Sequence, residues 1–183
     1  MEWLDIVDED GNPTGETVER SRAHREGIRH RTAHVWLARM REGRPQVLLQ
    51  KRSQNKDSHP GMYDMSSGGH IPAGVDYLPS AIRELKEELG IDAGEGELLC
   101  CGTRKFFWRD VFHGQPFLDR QVSRVYLLWK DPAAFRLQKE EVESVLWIDF
   151  EECVRRVKEK TLPNCISPEE LEMIGEQLCG KIE

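Results

Sequence analysis

The chain has 183 residues, 38% of them hydrophobic and 32% charged, a length and composition that fit one globular domain with a core of its own. Its 26 basic and 33 acidic residues sum to −7, with an isoelectric point near 5.5; this argues against nonspecific nucleic-acid binding and leaves an anionic substrate to local cations or bound metal. No apolar stretch approaches the ~20 residues that span a bilayer, and MEWLDIVDEDG lacks the basic and apolar regions of a secretion signal, so the expected compartment is the cytoplasm, with no membrane partner.

In chain order, a hairpin is expected over residues 4–20, with Asp10, Gly11 and Asn12 at its turn. Basic, helix-compatible residues 20–30 follow. Ala33–Met40 and Gln46–Arg52 read as a second hairpin, apolar enough to be central in a sheet. The segment from Ser53 to Gly74 holds Pro60, Gly61, Gly68, Gly69 and Pro72 and reads as a long ordered loop with one short strand, Tyr63–Ser66. From Asp76 to Leu89 the period changes: Leu78, Ile82, Leu85 and Leu89 predict a helix with one apolar face, capped by Gly90. Leu98–Thr103, Lys105–Phe112, Gln121–Lys130 and Val145–Ile148 read as strands, and Phe150–Lys160 as a helix. A last helix is expected over Pro168–Cys179, with Ser167 and Glu170 forming a capping box. The order of elements gives an α/β sandwich with a mixed sheet. The five cysteines, Cys100, Cys101, Cys153, Cys165 and Cys179, show no C-x-x-C spacing and are expected to be reduced and mostly buried.

The chemistry concentrates in Arg83-Glu84-Leu85-Lys86-Glu87-Glu88-Leu89-Gly90-Ile91. Glu84, Glu87 and Glu88 stand at i, i+3 and i+4, so three carboxylates share one helix face while Leu85 and Leu89 point to the packed side. Each like-charge pair costs ~0.2 to 0.5 kcal/mol on an isolated helix. A hard divalent cation, Mg²⁺ or Mn²⁺, would compensate; a solvated acidic face is the plain alternative. The Gly68–Gly69 pair in the preceding loop permits close backbone approach and a carbonyl directed at a ligand.

Gly69, thirteen intervening residues and then Arg83–Ile91 resemble the Nudix box, G-x5-E-x7-R-E-U-x-E-E-x-G-U, where U is aliphatic. The resemblance implies a Nudix-type α/β/α sandwich with a single domain over residues 1–183 and Mg²⁺- or Mn²⁺-dependent attack on a small diphosphate. It implies Glu84, Glu87 and Glu88 as metal ligands, the Gly68 carbonyl as a further one, and Arg83 as orienting the carboxylates. One position departs: the first box Glu is Val75 here, and the neighbouring Asp76 is expected to cap the helix.

His30-Arg31-Thr32-Ala33, Gln50-Lys51-Arg52-Ser53, Pro60-Gly61-Met62-Tyr63-Asp64 and Gly68-Gly69-His70 further resemble the isopentenyl-diphosphate isomerase branch. Gly68 stands where those isomerases carry a catalytic Cys, and Asp119 and Gln121 stand near the position of their second acid–base Glu. Double-bond migration needs an acid and a base on opposite faces, so a hydrolase on the isomerase-like scaffold is favoured over the isomerase, and a non-catalytic nucleotide-binding protein is the third alternative. The same resemblance places Arg52 and Lys56 on the substrate phosphates. It matches His30 and His70 to metal-binding histidines, with His24 near a third at a different spacing; a second metal there is not expected. His34 is read as a strand-face residue without a special role.

By position in the Nudix pattern, Glu141 is the first choice for general base and Glu140 the second, against a solvated charged loop. Trp108, Phe107 and Tyr63 are candidates for an apolar pocket wall, or simply for core. A homodimer is admitted as an assembly, with the last helix packed on its own domain or on a partner.

Overall fold

In the computed structural model, which describes residues 1–180, the chain opens with the antiparallel pair β1 (Trp3–Val7) and β2 (Pro13–Glu19), the expected hairpin. Helix α1 (Arg20–Glu26) follows and ends at Gly27, whose left-handed φ of 68° turns the chain back toward the body of the protein. Leu4, Val18 and Ala23 join these elements in a small core of their own.

Strand β3 (His30–Arg41) then sends Ala33, Val35 and Leu37 to one face and Trp36 and Ala38 to the other. That alternation, apolar on both sides, marks a central strand. It pairs antiparallel with β4 (Arg44–Arg52), as expected. The long segment after β4 is more ordered than its Gly and Pro content suggests, holding β5 (Tyr63–Asp64) and β6 (Ser67–His70). Glycines do not prevent pairing here because β6 lies directly on β3, Gly68 opposite His34 and Gly69 opposite Ala33.

Asp76 caps helix α2 (Tyr77–Glu84), its Oδ1 accepting the Tyr77 N–H at 2.7 Å. The helix widens into a π turn over Leu85–Leu89 and stops at Gly90, with φ 71°. Leu85 and Leu89 are fully buried, worth ~1.5 to 3 kcal/mol each relative to exposure. Beyond it, the two strands expected between residues 98 and 112 are one, β7 (Leu98–Phe112). A bulge between Cys100 and Gly102 absorbs the irregularity without ending the strand. Strand β8 (Gln115–Trp129) starts six residues before its expected bound, because β7 and β8 form one long hairpin paired out to Phe112 and Gln115. The last strand, β9 (Val142–Asp149), leads into α3 (Phe150–Lys158) and α4 (Pro168–Cys179).

The main sheet runs β5-β4-β3-β8-β7, with β6 also on β3 and β9 on β4. Among the described strands only the β3–β8 pairing is parallel. One face carries α2 and the π turn over Ala33, Val35, Leu48 and Leu128. The other carries α3 and α4, through Cys153, Val157, Leu171, Ile174 and Leu178, over Trp36, Val47 and Leu127. The result is the expected α/β/α sandwich with a mixed sheet and an N-terminal hairpin, and α4 packs on its own domain.

Two expectations fail. Ser167 makes no side-chain cap hydrogen bond, and Glu170 turns inward, 1% exposed. The cysteines are all free, but only Cys153 is buried, Cys100 and Cys179 being exposed. Among the described residues no helix is long and apolar enough to cross a membrane.

Candidate functional site

Two of the three box carboxylates, Glu84 and Glu88, meet strand β6, whose glycines let the helix approach. A Cβ built on Gly69 would lie 2.5 Å from the Glu84 carboxylate carbon, so glycine is what leaves room for that carboxylate. Glu88 points into the protein, 4% exposed. Its Oε2 accepts from Ser67 Oγ at 2.7 Å and from the Gly68 N–H at 3.2 Å, with Gln50 Nε2 at 3.4 Å. Glu87 stays toward solvent, and Arg83 links the group, with Nη2 2.6 Å from Glu84 and Nε 3.8 Å from Glu87. The π turn re-phases residues 85–89 relative to the helix before them, which allows Glu88 to turn inward without moving Glu84. Burial raises the pKa of Glu84, against the pull of Arg83, and raises that of Glu88 to about 7, the Ser67 hydrogen bond opposing. Carboxylates with this much charge penalty suit a hard divalent cation.

Val75, in place of the first box acid, packs against the core beside α2. Its carbonyl accepts from Arg31 Nη2 at 2.8 Å, and the same nitrogen reaches Asp5 at 2.8 Å. Arg31 is thus tied to the N-terminal hairpin and the start of the helix.

The candidate base Glu141 is ion-paired with Lys56. Its backbone carbonyl accepts the Ser53 N–H at 2.9 Å. Glu140 is exposed. Arg52 donates to Asp64 at 3.2 Å and to the Ser58 carbonyl at 2.9 Å. Both candidate phosphate cations therefore hold protein acceptors: Lys56 lies beside the candidate base, whereas Arg52 is engaged in shaping its own loop. The aromatic candidates separate. Trp108 joins His59, Phe112 and Phe117 in a half-buried cluster, with ring centroids 4.7 to 6.2 Å away, while Phe107 is 59% exposed and Tyr63 packs toward the α3–α4 face.

The histidines give the largest departure from the sequence reading. His24 from α1, His30 from β3 and His70 from β6 bring their ring nitrogens within 4.8 Å of one another. The spacing of His24 is no obstacle, because the turn at Gly27 folds α1 back over β8 and delivers its imidazole to the same point. Asp119 Oδ1 stands 3.6 Å from Nε2 of both His24 and His30, and Gln121 Nε2 donates to Asp119 at 2.7 and 2.8 Å. His30 Nδ1 sits 2.9 Å from the Ile28 carbonyl and donates to it, which leaves Nε2, fully buried, as a lone pair without a partner. Burial depresses the pKa of His30 to about 4 and that of His70 well below its usual value. Burial also opposes charge on Asp119, but contact with His24 and His30 outweighs it and keeps the carboxyl ionised. Three imidazoles beside a carboxylate form a donor set for a borderline divalent ion such as Zn²⁺.

His34 has a role the sequence did not disclose. Its Nδ1 lies 2.7 Å from Glu170 Oε1, the carboxylate that also accepts from Trp36 Nε1 at 3.1 Å and Arg104 Nη1 at 2.9 Å. Burial opposes the charge on both partners, and their mutual attraction wins: the pKa of His34 is raised and that of Glu170 is held down to about 2. Only a pattern linking positions 34, 36, 104 and 170 could have signalled this hub.

With this geometry in place, the chain is assigned to a class by comparison. The NUDIX domain family model matches residues 28–166. Nudix hydrolase 3 of Arabidopsis thaliana is 42% identical over 159 residues, 82% of this chain but 20% of that protein's length. An uncharacterized Nudix hydrolase of Clostridium acetobutylicum is 37% identical over 162 residues, covering 87% of this chain and 75% of that protein. In structure, the NUDIX domain of Shewanella oneidensis NrtR, solved with ADP ribose, superposes with a TM-score of 0.62 at 16% identity, over 88% of this chain and 99% of that one. The chain belongs to the Nudix family, and its fold is the Nudix fold.

Proposed function

We propose that the protein is a Mg²⁺- or Mn²⁺-dependent hydrolase that cleaves the diphosphate linkage of a nucleoside diphosphate derivative or a related small metabolite. The observation that carries this reading is the convergence of Glu84 and Glu88 on the Gly68–Gly69 backbone, with Glu87 held nearby through Arg83. The nucleotide character of the substrate is supported by the ADP ribose bound to the Shewanella domain. Glu84, Glu87, Glu88 and the Gly68 carbonyl would hold the ion, which when bound lowers the pKa of water and offsets phosphate charge. Arg83 keeps the carboxylates apart and oriented. Lys56 releases Glu141 when a substrate phosphate takes its charge, freeing that carboxylate to accept a proton from attacking water. Arg52 supports the loop that carries Lys56.

The isomerase alternative is weakened on this geometry: Gly68 offers no side chain, and Gln121 is spent on Asp119. A second ion at His24, His30, His70 and Asp119 is part of the proposal, carried by the unpartnered His30 Nε2.

The test is phosphate release from a panel of diphosphates in Mg²⁺ or Mn²⁺, with bound metal counted by mass spectrometry. Glu87→Gln and Glu88→Gln are expected to lose about 100-fold in turnover, at least what loss of an outer-shell partner costs, and His30→Gln to bind about one ion fewer per chain. Wild-type rates in both Glu variants would refute the hydrolase. Ligand binding without turnover, with activity appearing in Val75→Glu, would identify a nucleotide-binding protein instead.

A further inference from the structure

Strand β6 is only four residues long, pairs among the described strands with β3 alone, and carries the two glycines that meet the carboxylates of the Nudix helix. Its position toward the helix therefore depends on what stands behind it. Directly paired residues in an antiparallel ladder point to the same face, so the missing side chain of Gly68 would point to the face that carries His34. A Cβ there would lie 3.2 Å from Met65 Sδ, 3.3 Å from the Ala33 carbonyl and 3.4 Å from His34 Cδ2. The imidazole shares with Met65 the space that the glycine leaves.

His34 is in turn held from α4. Glu170 reaches through an otherwise apolar interface, among Leu171, Ile174 and Leu178, and spends its carboxylate on His34, Trp36 and Arg104. An apolar residue would dock α4 as well or better, because a buried charge is expensive even when paired. What the carboxylate adds is direction: Trp36 and Arg104 fix its oxygens, and its bond to Nδ1 fixes the imidazole ring.

We propose that Glu170 and His34 are a positioning pair for the metal site, through which α4 braces Gly68 so that its N–H and carbonyl stay aligned with Glu88. The proposal rests on the assignment of Glu88 and Gly68 to a metal centre. Glu170 touches neither metal nor substrate; it acts through His34.

The experiment measures Mn²⁺ affinity by electron paramagnetic resonance of free Mn²⁺, alongside thermal unfolding. The relevant component of binding is the one that Glu88→Gln removes. Glu170→Gln is expected to weaken that component by about 10-fold, the lower end of what outer-shell partners contribute, and to raise the Mn²⁺ concentration needed for half-maximal rate without changing KM for substrate. Glu169→Gln, which loses the outer salt bridge to Arg104 at 3.2 Å, is expected to shift unfolding alone. Should Glu170→Gln fail to fold, His34→Leu, which keeps the Glu170 bonds to Trp36 and Arg104, is expected to show the same Mn²⁺ loss. Unchanged affinity in a folded Glu170→Gln or His34→Leu protein overturns the positioning role and reduces the pair to a helix dock. If Glu88→Gln removes no Mn²⁺ binding at all, the metal centre itself fails and the brace falls with it, a result separable from the first.

Discussion

Two helices present acidic residues to the same pair of strands from opposite sides, and they use them differently. On α2 and its π turn the carboxylates of Glu84 and Glu88 lie against β6 with Glu87 toward solvent, partnered mainly by Arg83 and by the backbone and hydroxyl of β6. On α4 the carboxylate of Glu170 is sealed under the sheet and saturated by three side chains. In the first group Glu88 receives its three donors on one oxygen, Oε2; in the second both oxygens of Glu170 are engaged, one of them by a guanidinium, and the carboxylate orients its neighbours. Burial alone does not separate them, since Glu88 and Glu170 are both nearly inaccessible. The charge and placement of the donors do: three neutral donors fall on one oxygen of Glu88, whereas His34, Trp36 and Arg104 are spread over both oxygens of Glu170.

The largest effect expected to probe this difference comes from Gly69→Ala. The added methyl meets the end of a flexible Glu84 side chain, not backbone, so the carboxylate can swing away at little structural expense. Divalent-metal activation should weaken by about 10- to 100-fold, as for a displaced outer-shell group or worse, while the thermal midpoint barely moves. A large drop in midpoint with unchanged metal dependence would show Glu84 to be structural, like Glu170.

A smaller contrast lies in the acid limb of stability. The folded-state pKa of Glu170, about 2, is below its ordinary 4.5, so its ionised form stabilises the fold above the unfolded value, and the contribution is lost as pH falls from about 4.5 toward 2. His34, raised above 6.5, has the opposite sign: its contribution is complete below 6.5 and is lost as pH rises through the folded value. Urea midpoints of wild type and Glu170→Gln should therefore stay separated near pH 5 and converge toward pH 2. A gap that is constant down to pH 2 would mean that the carboxylate is not ionised in the folded protein.

What could be read from the sequence follows the range of the contacts involved. The α2 face was legible because Glu84, Glu87, Glu88, Leu85 and Leu89 lie within two helical turns, and the hairpins were legible from turn residues and alternation. Contacts between distant residues were not. His24, His30, His70 and Asp119 come from four elements, and no local period marks their meeting. The single strand β7 reads from the sequence as two, Leu98–Thr103 and Lys105–Phe112, because nothing local shows that the ladder to β8 continues through Arg104, which pairs with Ser123. Glu170 was misread for the same reason: Ser167-x-x-Glu170 satisfies the capping-box spacing, while the donors that claim Glu170 lie at positions 34, 36 and 104.

The smallest expected effect tests that misreading directly. Removing a working N-cap costs ~1 kcal/mol, because a backbone N–H of the first turn loses its acceptor. Asp76→Ala should show a loss of about this size, since its carboxylate accepts the Tyr77 N–H. Ser167 occupies the equivalent place on α4, but its hydroxyl caps nothing, and Pro168 at the first helical position has no N–H to satisfy. Ser167→Ala should therefore change stability by no more than a few tenths of a kcal/mol, within the range of ordinary surface substitutions. A loss near 1 kcal/mol would restore the cap and weaken the claim that Glu170 belongs to the sheet and not to its own helix terminus.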